Sequence, residues 1–512
     1  MKQPMKIVNV MNFVRQIDER TENSTEKLLA FTARELALVN EYGVDNTFLL
    51  QYDALCDPDF VDLFRREATG RTELGLWYEI VEPLTSACGL PYRSEAGWKW
   101  DWHIIPGFSM AYEPAQRDQL IDEAMRKFRE VFGYYPKTVG SWVLDTRTFN
   151  RLASVYGVST AAICRDQANT DAYTLLGGYS NGAYYPSKYN IFTPAQTREA
   201  QTGVPVFRLL GPCPIHNYDN HKYSSDALRA LGDPPCFTLE PAWFMGRDPK
   251  AVRWMFDTLY GAESLGFAYA QIGQENSFFY CGESLLDGLR MQLEQLLARS
   301  DVRFLKMCDT GDLFRAAYPD LTPPTAVAAL DNFDSADAQS VWYNCKNYTA
   351  NLFRFEDRVF IRSLFLFDER VPDAYLDETC ATFDAVYENL PIVDTRALPE
   401  DRRKDCGLTL SCGNAPVAVD QTAQGVLRAT FGGGAVTFFE DRIEVAADSV
   451  WLDASSAYAL TKVEPDCLCF SRKGCDYRLR IANGTALERG GRVQISGFGG
   501  AVGLIPAPAP LS

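Results

Sequence analysis

Two short segments in the N-terminal half place ionisable and aromatic side chains close together. Residues 98–103 read Trp-Lys-Trp-Asp-Trp-His, and residues 140–145 read Gly-Ser-Trp-Val-Leu-Asp. Indole faces stack on the C–H faces of sugar rings, while carboxylates and amides bind the hydroxyl groups. Both segments are therefore typical of a pocket that binds a glycan.

Cleavage of a glycosidic bond normally needs two carboxyl groups, one as proton donor and the other as nucleophile or base. We predict Asp145 and Glu275 as this pair, because each directly follows an apolar strand and has aromatic and polar neighbours. The reserve candidates for catalysis are Asp53, Glu79 and Asp101. Each of these carboxylates could instead cap a helix or pair with arginine.

Further polar and aromatic residues near the predicted strand ends are expected to hold the substrate. They are His103, Trp98, Trp102, Trp142, Arg165, Asp166, Arg208, Trp243, Gln274 and Asn276. The same strand ends also present Asn12, Arg15 and Gln51, without a defined role. Because arginine binds carboxylates through paired hydrogen bonds, Arg165 and Arg208 are compatible with an acidic sugar.

Histidine, a common metal ligand, is scarce in this sequence. Histidine occurs three times, and residues 216–221 contain two of them, His216 and His221, together with Asp219. This segment could bind a metal, but a solvated, hydrogen-bonded loop is the ordinary alternative. The fourteen cysteines are scattered, and none of their groupings has the two-pair spacing of a zinc site. We predict reduced core cysteines, no metal and no cofactor.

The composition indicates a large globular protein. A length of 512 residues allows two or three domains, and 46% hydrophobic residues supply a substantial core. A net charge of −17 argues against a nucleic-acid partner, which needs a basic surface. No apolar stretch reaches the ~18–20 residues that span a bilayer, and the N-terminus does not read as a signal peptide. We predict a cytoplasmic protein without a membrane partner.

The elements that would position these side chains alternate between strand and helix through residue 320. A helix over 24–42 precedes Gly43 and the strand 47–52, and Gly157 and Gly266 likewise precede strands 160–164 and 267–272. This alternation predicts an α/β fold, a TIM-like barrel of seven or eight βα units over residues 1–320. An open doubly wound sheet is the competing architecture, although no glycine-rich phosphate loop supports it.

The pattern changes after Pro324. Short runs of alternating hydrophobicity are separated by turn residues such as Gly432-Gly-Gly434 and Asn483-Gly484. These features predict a C-terminal antiparallel β-sandwich over residues 325–512, interrupted by one helix near 372–387.

Four motifs resemble those of the glycoside hydrolase/deacetylase superfamily of (β/α)7 barrels, and most closely glycoside hydrolase family 57. They are His103-x-x-Pro106, Phe132-Gly-x-x-Pro136, Gly140-x-Trp142-x-x-Asp145 and Tyr156-Gly-Val158. The resemblance implies that Asp145 is the catalytic nucleophile and that His103 contacts the substrate. The chain also resembles a bacterial group that joins such a barrel to a β-sandwich.

Two departures from the family matter. The family usually has glutamate where this chain has Asp145, and the shorter side chain could turn a nucleophile into a water-activating base. Glu275 is the nearest match to the family's proton donor on a late strand. The deacetylase branch uses an Asp-His-His metal site with a His-x-x-x-His pair, which is absent from this sequence.

We therefore expect a bacterial glycoside hydrolase with a carbohydrate substrate, a small glycan or a terminal sugar. One alternative is a metal-dependent carbohydrate deacetylase, which requires His103, His216 and an aspartate to converge. The other is a barrel that binds glycans without turnover, whose strand-end carboxylates would be held in arginine pairs. The role of the sandwich and assembly into a homo-oligomer stay open.

Overall fold

The computed structural model describes most of the chain. The described residues are 4–19, 24–170, 173–209, 248–261, 264–277, 284–331, 338–403, 406–412, 416–447 and 449–508. The predictions for His216, His221 and Trp243 fall outside these ranges. Among the helices that the structure describes, none is both long enough and apolar enough to cross a membrane.

The strands of the N-terminal region are short and mostly buried. They are β1 (Met5–Val14), β2 (Asn46–Leu50), β3 (Thr72–Trp77), β4 (Thr138–Gly140), β5 (Thr160–Cys164), β6 (Gln167–Thr170), β7 (Tyr173–Leu176), β8 (Ala183–Tyr184), β9 (Pro186–Ser187), β10 (Asn190–Pro194), β11 (Val206–Leu209), β12 (Phe267–Ile272) and β13 (Val302–Phe304).

Most of these strands form one parallel sheet. Its order is β12-β1-β2-β3-β4-β5-β11, with β8 antiparallel at the far edge and β13 paired to β1. The strands are nearly continuous apolar runs, as expected for a parallel sheet covered on both faces. The sheet is a curled half-barrel, and its described strands form an open path that ends at β12 and β8. The carboxyl ends of the parallel strands lie at one edge, where the predicted site residues follow.

Helices connect successive strands of this sheet. They are α1 (Thr25–Tyr42), α2 (Tyr52–Cys56), α3 (Pro58–Glu67), α4 (Glu82–Ala87), α5 (Ile104–Gly107), α6 (Pro114–Phe132), α7 (Thr146–Tyr156), α8 (Pro249–Leu259), α9 (Ser284–Leu297) and α10 (Met307–Ala317). Helix α1 begins after Ser24, whose hydroxyl accepts a hydrogen bond from the Lys27 amide, and ends at the left-handed Gly43.

The C-terminal region is almost entirely antiparallel. Its strands are β14 (Thr325–Ala329), β15 (Ala338–Asn344), β16 (Tyr348–Phe355), β17 (Arg358–Leu366), β18 (Ala385–Glu388), β19 (Leu390–Asp394), β20 (Leu408–Cys412), β21 (Ala418–Ala423), β22 (Val426–Phe431), β23 (Gly434–Phe438), β24 (Ile443–Ala446), β25 (Ser449–Asp453), β26 (Leu460–Glu464), β27 (Cys467–Arg472), β28 (Cys475–Ala482), β29 (Gly484–Arg489), β30 (Arg492–Gly497) and β31 (Val502–Pro508). A single short helix, α11 (Glu400–Arg403), lies between β19 and β20.

Two antiparallel sheets dominate this region. One has the order β14-β15-β16-β17-β20-β25-β30-β29, and the other has the order β21-β22-β23-β24-β31-β28-β27-β26. Apolar side chains from both sheets, such as Tyr343 and Phe438, belong to one buried cluster. This cluster is distinct from the one beneath the parallel sheet. The division of the chain into domains at 320/325 stays a prediction.

The helix predicted near residues 372–387 is wrong. This segment contains turns and ends in β18, which pairs in parallel with β7 of the N-terminal region. Its backbone is fixed by contacts with the N-terminal region, such as the hydrogen bond from the Cys380 amide to the Met110 carbonyl. Tertiary contacts therefore decide its conformation.

Candidate active site

A buried arginine lies at the carboxyl end of β1. Arg15 is fully buried, and its Nη2 lies 3.1 Å from Glu275 Oε1 and 3.6 Å from Glu79 Oε2. Because both oxygens contact one nitrogen, their separation cannot exceed the sum of 3.1 and 3.6 Å, which is 6.7 Å. One cation thus joins carboxylates from the ends of β3 and β12, as a buried acidic pair requires.

Two indole groups orient the first of these carboxylates. Trp77 Nε1 donates to Glu79 Oε1 at 2.9 Å, and Trp100 Nε1 donates to Glu79 Oε2 at 2.6 Å. The Trp100 ring also lies under the guanidinium, 4.1 Å from the Arg15 Cζ to its centroid. Such cation–π contacts are strongest where the cation is desolvated. Trp100 therefore holds both partners of the ion pair.

The ring of Trp77 belongs to an aromatic floor. It stacks on Phe13 at 4.0 Å between centroids, and Trp142 meets both rings edge-on. Residue 140 must be glycine for this packing, because a Cβ there would lie 2.8 Å from the Trp77 ring and 2.5 Å from Leu49. The Gly-x-Trp motif thus serves to pack two indoles at the sheet edge.

Main-chain contacts fix the second carboxylate. Gly273 has φ of 134°, a conformation that other residues rarely adopt, and a Cβ there would strike the Met11 carbonyl. The Gln274 amide donates to Asn12 Oδ1 at 2.9 Å, and Asn276 accepts from and donates to the Arg15 main chain. Glu275 lies between these anchors and accepts a hydrogen bond from the Ser277 hydroxyl.

A third carboxylate follows β2. Oδ2 of Asp53 accepts hydrogen bonds from the amides of Gln16 and Ile17 at 2.8 and 2.7 Å. Burial raises the pKa of Asp53 to about 6, although these amides and the Arg15 charge oppose the shift. A carboxyl group with this pKa can be protonated near neutral pH and can donate a proton. Arg15, Asp53, Glu79 and Glu275 are called the Arg15 cluster below.

Several buried polar atoms at this edge have no hydrogen-bond partner among the described residues. They are Asn12 Nδ2, Arg15 Nε, Nη1 and Nη2, Gln51 Nε2 and Oε1, Asp53 Oδ1 and Gln274 Nε2. Buried donors and acceptors are nearly always partnered, by protein or by water, since an unpaired group costs about 1–3 kcal/mol. A concentration of such atoms suits a ligand that is rich in hydroxyl groups.

Asp145 has a different environment from the one that its sequence position predicts. It is fully buried and caps α7, with Oδ1 accepting from the Thr148 amide at 3.0 Å and from Arg117 at 3.4 Å. Its Oδ2 accepts from the hydroxyls of Ser109 and Thr148. Both oxygens already have two donors, so these contacts support a structural role and do not support a nucleophile.

Arg117 and Asp145 connect the sheet to the segment before β18. Arg117 donates to the carbonyls of Tyr375 and Glu378, each at 2.5 Å, and Asp373 accepts from the Thr146 amide and hydroxyl. Arg117, Asp145 and Asp373 are called the Arg117 cluster below. Burial raises the pKa of Asp373 to about 6, and the Asp145 charge contributes to the shift.

The segment of residues 98–103 extends the aromatic floor outward. Asp101 Oδ1 lies 2.7 Å from His103 Nδ1, and Ser94 donates to Asp101 Oδ2 at the same distance. The Trp102 ring lies 5.8 Å from Trp100 and 5.2 Å from the imidazole. Since the His103 side chain is 43% exposed, it can meet a bound molecule at the outer end of this row. Trp98 packs beside Trp102 at 5.1 Å.

Two further predicted residues contact each other and the C-terminal region. Arg208 donates to Asp166 at 2.9 Å and to the Cys164 carbonyl, while Arg396 lies 4.0 Å from the second Asp166 oxygen. Arg165, which directly precedes Asp166 in the sequence, is also buried. These contacts connect the sheet with the residues that directly follow β19. They do not include any member of the Arg15 cluster.

The structure therefore brings together part of the predicted set. Contacts at one edge join the predicted residues Glu79, Glu275, Asn276 and Trp142 with residues to which the sequence assigned no role. The latter are Arg15, Trp77 and Trp100. Arg15 shares with the carboxylates the position directly after an apolar strand, whereas Trp77 ends β3 and Trp100 lies between α4 and α5. Within the described ranges, no three metal-ligating side-chain atoms at this edge lie within 4.8 Å of one another.

Comparison with known proteins supports the fold. No family model matches the chain, and no curated protein matches it. A solved structure from Parabacteroides distasonis, provisionally described as a glycoside hydrolase/deacetylase, is similar with a TM-score of 0.55 at 14% identity. The match covers 78% of this chain and 94% of that one. The GH57-type branching enzyme from Pyrococcus horikoshii has a TM-score of 0.35 at 12% identity, over 61% of this chain and 71% of that one. The similarity to the Parabacteroides distasonis structure confirms the predicted resemblance at the level of the fold.

Proposed function

We propose that the chain is a carbohydrate-active enzyme, a glycoside hydrolase whose reacting groups belong to the Arg15 cluster. The observation behind this proposal is the buried Glu79–Arg15–Glu275 arrangement next to the aromatic floor and to polar atoms that have no hydrogen-bond partner in the described part of the chain. Buried carboxylates, amides for hydroxyl groups and aromatic faces for sugar rings are the components of a glycosidase pocket.

The roles follow from the contacts of each carboxylate. Glu79 receives two indole N–H groups, so it is fixed as the counter-charge that holds Arg15. Glu275 is the nucleophile or base, since the Arg15 guanidinium 3.1 Å away holds its side chain in place at the end of β12. Asp53 is the proton donor, because burial raises its pKa to about 6 and its Oδ1 has no partner among the described residues.

A second candidate function is glycan binding without turnover. The ion pairing of Arg15 with two carboxylates favours it, because a guanidinium in contact with Glu275 competes with the electrophilic carbon of a substrate. In that case the same residues would hold a sugar, and no bond would be cleaved.

Three variants distinguish these functions. We expect that Glu275→Gln lowers turnover of an aryl glycoside by at least about 10³-fold, as loss of a reacting carboxylate does. We expect that Asp53→Asn lowers turnover of the same substrate by about 10²-fold or more. Glu82→Gln, which changes a partly exposed carboxylate on α4, is the matched control and retains full turnover.

The pH profile gives an independent readout. If Asp53 donates the proton, the wild-type rate falls as the pH rises through about 6, and Asp53→Asn removes this limb. Full turnover by Glu275→Gln would exclude the hydrolase assignment for this cluster. Sugar binding by calorimetry, without cleavage of any glycoside and with binding weakened by Glu275→Gln, would select the binding function.

A further inference from the structure

The hairpin β26–β27 lies at the edge of the second antiparallel sheet. Glu464 and Cys467 are register partners across its two-residue turn, and Cys469 follows Cys467 by two positions. Side chains two apart on a strand share a face. Leu468 and Phe470 lie in the core, so both thiols project from the opposite face.

The three ligand-bearing side chains are close together. The thiol sulfurs of Cys467 and Cys469 and a carboxylate oxygen of Glu464 all lie within 4.8 Å of one another. The turn that sets this spacing is anchored, because the Ile481 amide donates to the Asp466 carbonyl at 2.8 Å and the Ala486 amide donates to the Pro465 carbonyl at 2.7 Å. The backbone on which the group stands is therefore held by two neighbouring strands.

We propose that Glu464, Cys467 and Cys469 bind a thiophilic divalent cation of the zinc class. Two thiolates and one carboxylate are ligand types that zinc accepts in tetrahedral sites. With Zn–S about 2.3 Å and Zn–O about 2.0–2.2 Å, tetrahedral ligands lie about 3.5–3.8 Å apart. Small side-chain rotations close the observed spacing to this value. A water molecule takes the fourth position.

The surrounding charges fit such a site. Binding displaces one proton from each thiol, so the ion with two thiolates and one carboxylate has a net charge of −1. Arg478 and Arg480 are the register partners of Cys469 and Cys467 on β28, and directly opposite residues share a face. Lys462 also contacts Glu464 at 2.5 Å. These cations offset the negative charge of the loaded site.

The site was not expected from cysteine spacing, because its third ligand comes from the partner strand. Two cysteines two residues apart do not form a zinc motif by themselves. The pairing register of the hairpin places the Glu464 carboxylate beside the two thiols, which the spacing of the cysteines alone does not predict.

Cadmium titration of the reduced full-length chain tests the proposal. Cadmium thiolates have a charge-transfer band in the ultraviolet, and we expect it to saturate at one ion per chain and to be reversed by excess zinc. Cys467→Ser and Cys469→Ser remove the band. Cys475→Ser is the matched control, since this partly exposed thiol begins β28 outside the group, and it retains the band.

Glu464→Gln separates the carboxylate from the thiols. We expect this variant to weaken zinc binding at least about tenfold in a chelator competition, as loss of a supporting group at a metal site does. Absence of the band in wild-type chain whose thiols are shown free by labelling would overturn the proposal, as would an undiminished band in Cys467→Ser. If the serine variants do not fold, undiminished zinc affinity in Glu464→Gln overturns it.

Discussion

The Arg15 cluster and the Arg117 cluster contain the same groups and differ in how those groups are satisfied. Each has a fully buried arginine next to carboxylates that follow the sheet. Arg117 donates from all three nitrogens, mostly to carbonyls. Arg15 contacts two carboxylates, yet none of its three guanidinium nitrogens has a well-directed hydrogen bond within the described part of the chain.

This difference separates a structural ion pair from a candidate site. A saturated buried pair fixes the chain, and removing one partner leaves the other charge uncompensated. An unsaturated pair has capacity left for a ligand, and it is tolerated where binding supplies the missing hydrogen bonds. Both clusters are buried and each places one arginine among carboxylates, so hydrogen-bond saturation of the arginine is the property that distinguishes them.

The largest effect is expected at the saturated cluster. Arg117→Met removes the counter-charge of Asp145 and leaves the carbonyls of Tyr112, Met110, Tyr375 and Glu378 without their donor. We expect the free energy of unfolding to fall by about 3–5 kcal/mol. Urea denaturation followed by circular dichroism measures it. A loss below about 1 kcal/mol, the size of a typical surface effect, would contradict the structural assignment.

The pH dependence of stability sharpens the same point. Burial raises the pKa of Asp373 from its ordinary value of 3.8 to about 6 in the folded chain. The folded state therefore binds more protons between these values, so stability falls as the pH rises from about 4 to about 6, by up to about 3 kcal/mol. Asp373→Asn should flatten this fall.

Urea unfolding at pH 4.5 and pH 7, for wild type and Asp373→Asn, gives the difference directly. Acid effects from other groups cancel when the variant is subtracted from the wild type. Equal pH dependence in the two proteins would show that Asp373 is ionised throughout this range.

A conservative change at the unsaturated cluster should spare stability and affect function. Arg15→Lys keeps the positive charge that both carboxylates need, but it loses the planar fork of donors. We expect turnover, or glycan affinity if the chain only binds, to fall about 100-fold, which corresponds to about 2.7 kcal/mol. Arg117→Lys is the matched control, and it should leave turnover unchanged. An equal loss of turnover in Arg15→Lys and Arg117→Lys would contradict the distinction between the two clusters.

The sequence predicted much of the architecture because its signals are local. Apolar runs such as 267–272, and the glycines at 43 and 157 that end helices, depend on neighbours within a few residues. The helix expected near 372–387 failed for the opposite reason, since its conformation depends on residues far away in sequence, such as Met110.

The site was predicted only in part for the same reason. Glu275 and Glu79 follow apolar strands, and this position is visible in the sequence. Whether a strand-end carboxylate is saturated depends on donors from other elements, which for Asp145 are Ser109 and Arg117. A local sequence pattern does not distinguish a carboxylate that caps a helix from one that is available to bind a ligand.

Asp145 gives the smallest and most discriminating test. Asp145→Asn retains one oxygen for the Thr148 amide cap, and it loses the charge facing Arg117 and the oxygen that accepts from the hydroxyls of Ser109 and Thr148. We expect a stability loss of about 1–2 kcal/mol, smaller than for Arg117→Met because the Arg117 guanidinium keeps its four carbonyl acceptors, with turnover within about twofold of the wild type. Steady-state rates measured beside thermal unfolding separate the two effects. A rate loss as large as that of Glu275→Gln, in a variant that remains folded, would identify Asp145 as the nucleophile. It would also mean that a carboxylate with all its hydrogen bonds satisfied can be the reacting one.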